Sequence, residues 1–236
     1  MNCIRSALCA GYVFLSFDFS GSGMSDGEHV TYGWFEVDDY VDILRYISET
    51  YEKNSAKGQL VFCSTVAWGR NLGGAVALMK KHDDDGDGSG NDDVLLPTSA
   101  FVIDSAYASL DKMVDAVLAL LQGKGLLAPN FLLKMGFNSL IPAVKKTIKD
   151  DKFDPASLAP IENVSYLKQP ALFAACDVDM NGMAPEHMKD LSGNYGGKTY
   201  TLEFSAFKDE SGNPIKGRKR APKFYEYVYE RIGVQR

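Results

Sequence analysis

Two apolar rhythms run through the chain. Tyr12 to Phe17 is apolar on both faces except at Ser16, the pattern of a central parallel strand rather than a half-wet antiparallel one. From Trp34 to Ile47, Val37, Tyr40, Val41, Leu44 and Ile47 recur at helical spacing and predict an amphipathic helix. Strands are then expected over Leu60 to Trp68, Ala100 to Asp104, Pro170 to Ala175 and, with looser alternation, Thr199 to Phe204. Helices are expected over Gly73 to Lys81, through much of 108–149, and over Phe224 to Ile232. Apolar strands separated by helices indicate an α/β architecture with a mostly parallel sheet and helices on both faces.

One junction carries candidate chemistry. Thr65-Val66-Ala67-Trp68 leads into Gly69-Arg70-Asn71-Leu72-Gly73 and then into the small, apolar run Gly74-Ala75-Val76-Ala77-Leu78-Met79. That order predicts a strand, a sharp glycine-flanked turn and a helix, the layout that raises a serine to the top of a sheet as G-x-S-x-G. The middle position here is Asn71. An amide nitrogen is non-basic and a poor nucleophile, so a carboxamide does not replace the hydroxyl.

Composition narrows the alternatives. A chain of 236 residues with 45% hydrophobic and 24% charged residues is an ordinary globular protein, read as one domain over 1–236. A formal charge of -6 gives no reason to expect a nucleic-acid partner. The basic run Lys216-Gly217-Arg218-Lys219-Arg220 reads as a solvated loop. Cys3, Cys9, Cys63 and Cys176 lack metal or disulfide spacing, which suits reduced thiols and a cytoplasmic location. Met1 to Leu15 has some likeness to a secretion signal. The strand reading is preferred because the pattern continues unbroken to Gly21. No run approaches the ~18 apolar residues of a membrane span.

Two loops imitate ligand motifs and fail. Gly21-Ser22-Gly23-Met24-Ser25-Asp26-Gly27 has the composition of a phosphate loop without its spacing. The acidic segment 83–93 matches the first half of a calcium loop at Asp83, Asp85, Asp87 and Gly88, but Val94 stands where a bidentate glutamate is needed. It is read as an exposed acidic loop. No metal or cofactor site is expected.

With these elements placed, the chain resembles the α/β-hydrolase superfamily, and within it the serine aminopeptidase S33-like group. The resemblance rests on Gly11-Tyr12-Val13, Phe17-Asp18-Phe19-Ser20-Gly21-Ser22-Gly23, Gly33-Trp34, the Gly69 to Gly73 turn, Asp104-Ser105-Ala106-Tyr107, Phe153-Asp154 and Pro170-Ala171-Leu172-Phe173. It implies an α/β-hydrolase fold lacking the first strands and the oxyanion loop, with a small helical cap over 108–149. Asn71 falls at the nucleophile position. Asp179, with Asp177 as the second choice, falls at the acid position, and the Leu72 N–H at one oxyanion donor.

The family's catalytic histidine follows its last strand, and no histidine stands in the corresponding stretch Phe204 to Pro222. His29, His82 and His187 fall elsewhere and read as structural or surface residues. Cys63 and Ser64 precede the strand that leads to the turn. Cys176, near the acid loop, is a better alternative nucleophile but has no evident base. Phe131, Leu132, Met135 and Phe137 would line an acyl or aromatic cavity in a working cap; ordinary packing explains the same residues more cheaply. The implied protein is a catalytically impaired or inactive hydrolase relative that serves as a binding scaffold for a protein or for a small ester, amide or acyl ligand. The alternatives are a hydrolase of ester or amide bonds with a non-standard residue set and a nonfunctional shortened product.

Overall fold

Four parallel strands lie side by side in chain order in the computed structural model, which describes residues 2–55, 65–79, 98–123, 129–176 and 185–204. They are β1 (Thr65–Arg70), β2 (Thr98–Asp104), β3 (Ala171–Cys176) and β4 (Thr199–Phe204). All neighbouring pairs are parallel, so each return crosses a face of the sheet. The returns carry α3 (Leu72–Leu78), then α4 (Leu110–Gly123) and α5 (Asn130–Ile148), then α6 (Pro185–Asn194). Before the sheet come α1 (Asn2–Cys9) and α2 (Glu36–Ser55).

The period of two along the strands divides the core. Phe101, Ile103, Ala171, Phe173 and Ala175 point to one face, where Leu78, Leu158, Met188 and Leu191 meet them. Val102, Leu172 and Ala174 point to the other and pack with half-buried Val66, Trp68, Tyr200 and Leu202. The strands predicted over 100–104, 170–175 and 199–204 are present. The helix predicted from Trp34 to Ile47 begins two residues later and extends to Ser55.

The first predicted strand is not in the sheet. Residues 12–19 run without regular structure, Val13 and Leu15 are 65% and 48% exposed, and residues 13–17 make no backbone hydrogen bond among the described residues. The apolar run makes burial and pairing favourable, but a strand also needs a neighbouring backbone in register. This segment has none among the described residues.

Buried polar groups hold the approach to α2. The Glu36 carboxylate is 1% exposed and accepts from Thr31 N (2.7 Å), Thr31 Oγ1 (2.6 Å) and Gly33 N (2.8 Å). The Tyr107 hydroxyl donates to the Tyr32 carbonyl, and burial pushes its pKa far above the ordinary tyrosine value. Trp34 Nε1 donates to Asp150 Oδ2 at 2.6 Å, a bond that holds the Asp150 carboxyl below its usual pKa. Thus the loop before α2 is tied to the segments after β2 and after α5.

Candidate active site

The turn after β1 is built by close approach. A Cβ on Gly69 would lie 2.3 Å from Gly73 O and 2.4 Å from Gly74 N, so only glycine lets α3 fold back so tightly on its strand. Gly74 is tight to a lesser degree, its Cβ position being 3.1 Å from both Ala106 Cβ and Gly69 O. Between them Asn71 adopts φ 50° and ψ -115°, a backbone conformation that favours glycine. Its N–H donates to Asp104 O at 2.9 Å, and its carbonyl accepts from Ala75 N at 3.1 Å. The side-chain Oδ1 is buried with no hydrogen-bond partner among the described residues.

The C-terminal ends of β1 and β2 place polar groups beside this turn. Arg70 and Asp104 are register partners, with Arg70 Nε 3.8 Å from Asp104 Oδ2. Asp104 is 6% exposed, and its Oδ1 accepts from Ser105 Oγ at 3.0 Å. Ser105 has φ 55° and donates its N–H to Ala174 O at 2.9 Å. The carboxyl ends of the strands are where open α/β sheets bind ligands. Asp104 and Ser105 entered the sequence reading only as part of a resemblance. Their neighbourhood to Asn71 follows from the parallel register, which periodicity does not reveal.

Leu72 is the first residue of α3, where backbone N–H groups lack intrahelical acceptors. Asp177, Asp179, Cys63, Ser64 and His82 lie outside the described residues, as do the acidic segment 83–93, the basic run 216–220 and the helix predicted over 224–232. Cys176 ends β3, and its side chain also lies outside the described set.

The two described histidines are engaged elsewhere. His187, 4% exposed on α6, accepts from Ala108 N through Nδ1 at 3.2 Å, which assigns its proton to Nε2 when neutral. Burial lowers its pKa, and Lys112 adds to the effect while Asp190 and Glu186 oppose it. His29 is a surface residue, Nε2 lying 3.9 Å from Glu28 Oε2.

The apolar residues of α5 correct both sequence readings. Phe131, Leu132, Met135 and Phe137 are 63%, 49%, 63% and 38% exposed, so they are neither packed as core nor enclosed in a cavity. Helical periodicity identified an apolar helix, but what covers each face depends on elements distant in sequence. Among the described residues there is no group of three or more potential metal ligands, and no helix is long and apolar enough to cross a membrane.

No protein-family model and no curated protein matches the sequence. Solved structures do. A monoacylglycerol lipase from Paleococcus ferrophilus superposes with a TM-score of 0.55 at 16% identity, covering 98% of this chain and 86% of the lipase. The chain has the α/β-hydrolase fold. An Exiguobacterium antarcticum esterase gives 0.51 at 13% identity over 98% of this chain and 85% of its own. The protein DcsB, solved with a substrate analogue, gives 0.55 at 18% identity over 98% and 84%. At these identities the likeness is one of fold, and chemistry must be argued from the residues of this α/β-hydrolase-fold chain.

Proposed function

We propose that this chain is a catalytically impaired serine-hydrolase-like protein of the S33-like group, binding a small acyl, ester or amide ligand at the carboxyl ends of β1 and β2. The observation that carries the reading is Asn71. It stands on the tight strand–turn–helix junction with a side chain that is not a nucleophile and an Oδ1 with no partner among the described residues. A carboxamide there offers hydrogen bonds to a bound carbonyl or amide without attacking it. The lipase and esterase neighbours support a small carbonyl compound as the ligand class. In this reading α4 and α5 form a cap, and Asp179 keeps the acid position without a histidine to orient.

The test is exposure to a fluorophosphonate probe followed by intact-mass measurement, on the wild-type protein and on Asn71→Ser. Neither folded protein is expected to gain an adduct, since the variant restores a hydroxyl and no base. An adduct on wild type would overturn the proposal and, once mapped, name the nucleophile. An adduct on Asn71→Ser alone would confine the impairment to position 71.

A further inference from the structure

We infer that Asn71 is a self-modification site, at which the backbone nitrogen of Leu72 closes a succinimide on the Asn71 side chain and releases ammonia. The decisive quantity is a torsion angle: Asn71 has ψ -115°. On an L residue Cβ stands a third of a turn from the backbone nitrogen about the Cα–C bond. At this ψ the Cα–Cβ bond therefore nearly eclipses the bond from the carbonyl carbon to Leu72 N. Cγ, one bond further, comes within reach of that nitrogen in a five-membered ring. At the ψ of a regular helix or strand the two bonds are turned well apart, and the nitrogen does not reach Cγ. Regular structure protects asparagine in this way; the turn at Asn71 does not.

Packing holds this conformation in place. The Asn71 N–H donates to Asp104 O at 2.9 Å and its carbonyl accepts from Ala75 N at 3.1 Å, so β2 fixes one end of the residue and α3 the other. The side chain is less restrained: it makes no capping hydrogen bond, and Oδ1 has no partner among the described residues. Leu72 donates its N–H to no backbone acceptor among the described residues. Both residues are half-buried and within reach of water. Orienting two reacting groups within one molecule removes much of the entropic part of a barrier. In the step, Leu72 N loses its proton to hydroxide and bonds to Asn71 Cγ. The Cγ–Nδ2 bond breaks, and ammonia leaves with a proton taken from water. Water then opens the ring. Addition at Cγ gives aspartate at position 71; addition at the backbone carbonyl gives isoaspartate, in which the chain runs through Cγ. Either product puts a carboxylate where a neutral carboxamide stood.

Peptide mapping by mass spectrometry tests the inference, on the full chain aged at mildly alkaline pH in native buffer and in guanidinium chloride. Asn138 is the internal comparison. Its following residue is the small Ser139, which hinders ring closure less than Leu72 does, but Asn138 lies within the helix α5. In the native chain Asn71 is expected to convert first, roughly tenfold or more faster than in denaturant, where the order of the two sites should reverse. Hydroxylamine, which cleaves succinimides, should cut the ageing native chain between positions 71 and 72, and both aspartate and isoaspartate should accumulate there. Asn71→Gln keeps a carboxamide but needs a six-membered ring, and should stop conversion at this position. Circular dichroism checks its fold, and the comparison of native with denatured wild type needs no variant. An Asn71 that stays unchanged in the native chain, that converts no faster folded than unfolded, or that yields aspartate with neither isoaspartate nor hydroxylamine cleavage would each overturn the inference.

Discussion

The backbone N–H of Asn71 donates to the carbonyl of Asp104 at 2.9 Å, one residue beyond the last register pair of β1 and β2, Arg70 and Asp104. The turn that displays Asn71 is therefore fixed by the neighbouring strand as well as by its own helix. That bond uses the backbone alone, so it survives any non-proline substitution at 71. The strain at positive φ and the Oδ1 without a partner among the described residues belong to the asparagine side chain.

Replacing Asn71 with glycine is accordingly expected to stabilise the protein. Glycine accepts φ 50° and ψ -115° without a Cβ penalty and removes the buried Oδ1, which has no partner among the described residues. The gain should be about 1 kcal/mol, read as a higher denaturation midpoint. A lower midpoint would mean that the side chain contributes a stabilising contact.

The two glycine environments separate close packing from backbone freedom. Gly69→Ala places a methyl against the backbone of Gly73 and Gly74 and should cost about 3 kcal/mol. Gly136→Ala, within α5 and with no heavy atom within 4 Å of the new Cβ, should instead gain about 0.5–1 kcal/mol. Urea denaturation of both variants checks the opposite signs.

His187 gives stability a defined pH dependence. Its folded-state pKa lies below the ordinary 6.5, so below pH 6.5 the unfolded chain binds the proton more readily than the folded one. Its contribution is complete above 6.5 and is lost as the pH falls through the depressed folded value. Protonation also removes the Nδ1 lone pair that accepts from Ala108 N. The facing charges are Lys112 on α4 and Asp190 and Glu186 on α6, with Lys112 Nζ 2.6 Å from Asp190 Oδ2. Between about pH 7.5 and about pH 5.5, the wild-type urea midpoint should fall more than that of His187→Asn, which keeps an acceptor but does not titrate. Parallel pH curves would show that His187 does not set this slope.

The sequence by itself determined the parallel strands β1 to β4, the helices between them and the glycine-bounded turn at Asn71. Each is specified locally: a run of apolar residues, a helical period, or glycines where no Cβ fits. Tertiary structure decided the rest. Tyr12–Phe17 has the composition of a core strand, yet pairing requires a second backbone in register, and no local pattern supplies one. Phe131 and Met135 read as core or cavity lining and are exposed, because burial is a property of what packs against a helix. The grouping of Asn71 with Arg70, Asp104 and Ser105 came from strand register across more than thirty residues of sequence, where physical neighbourhood and sequence distance part company.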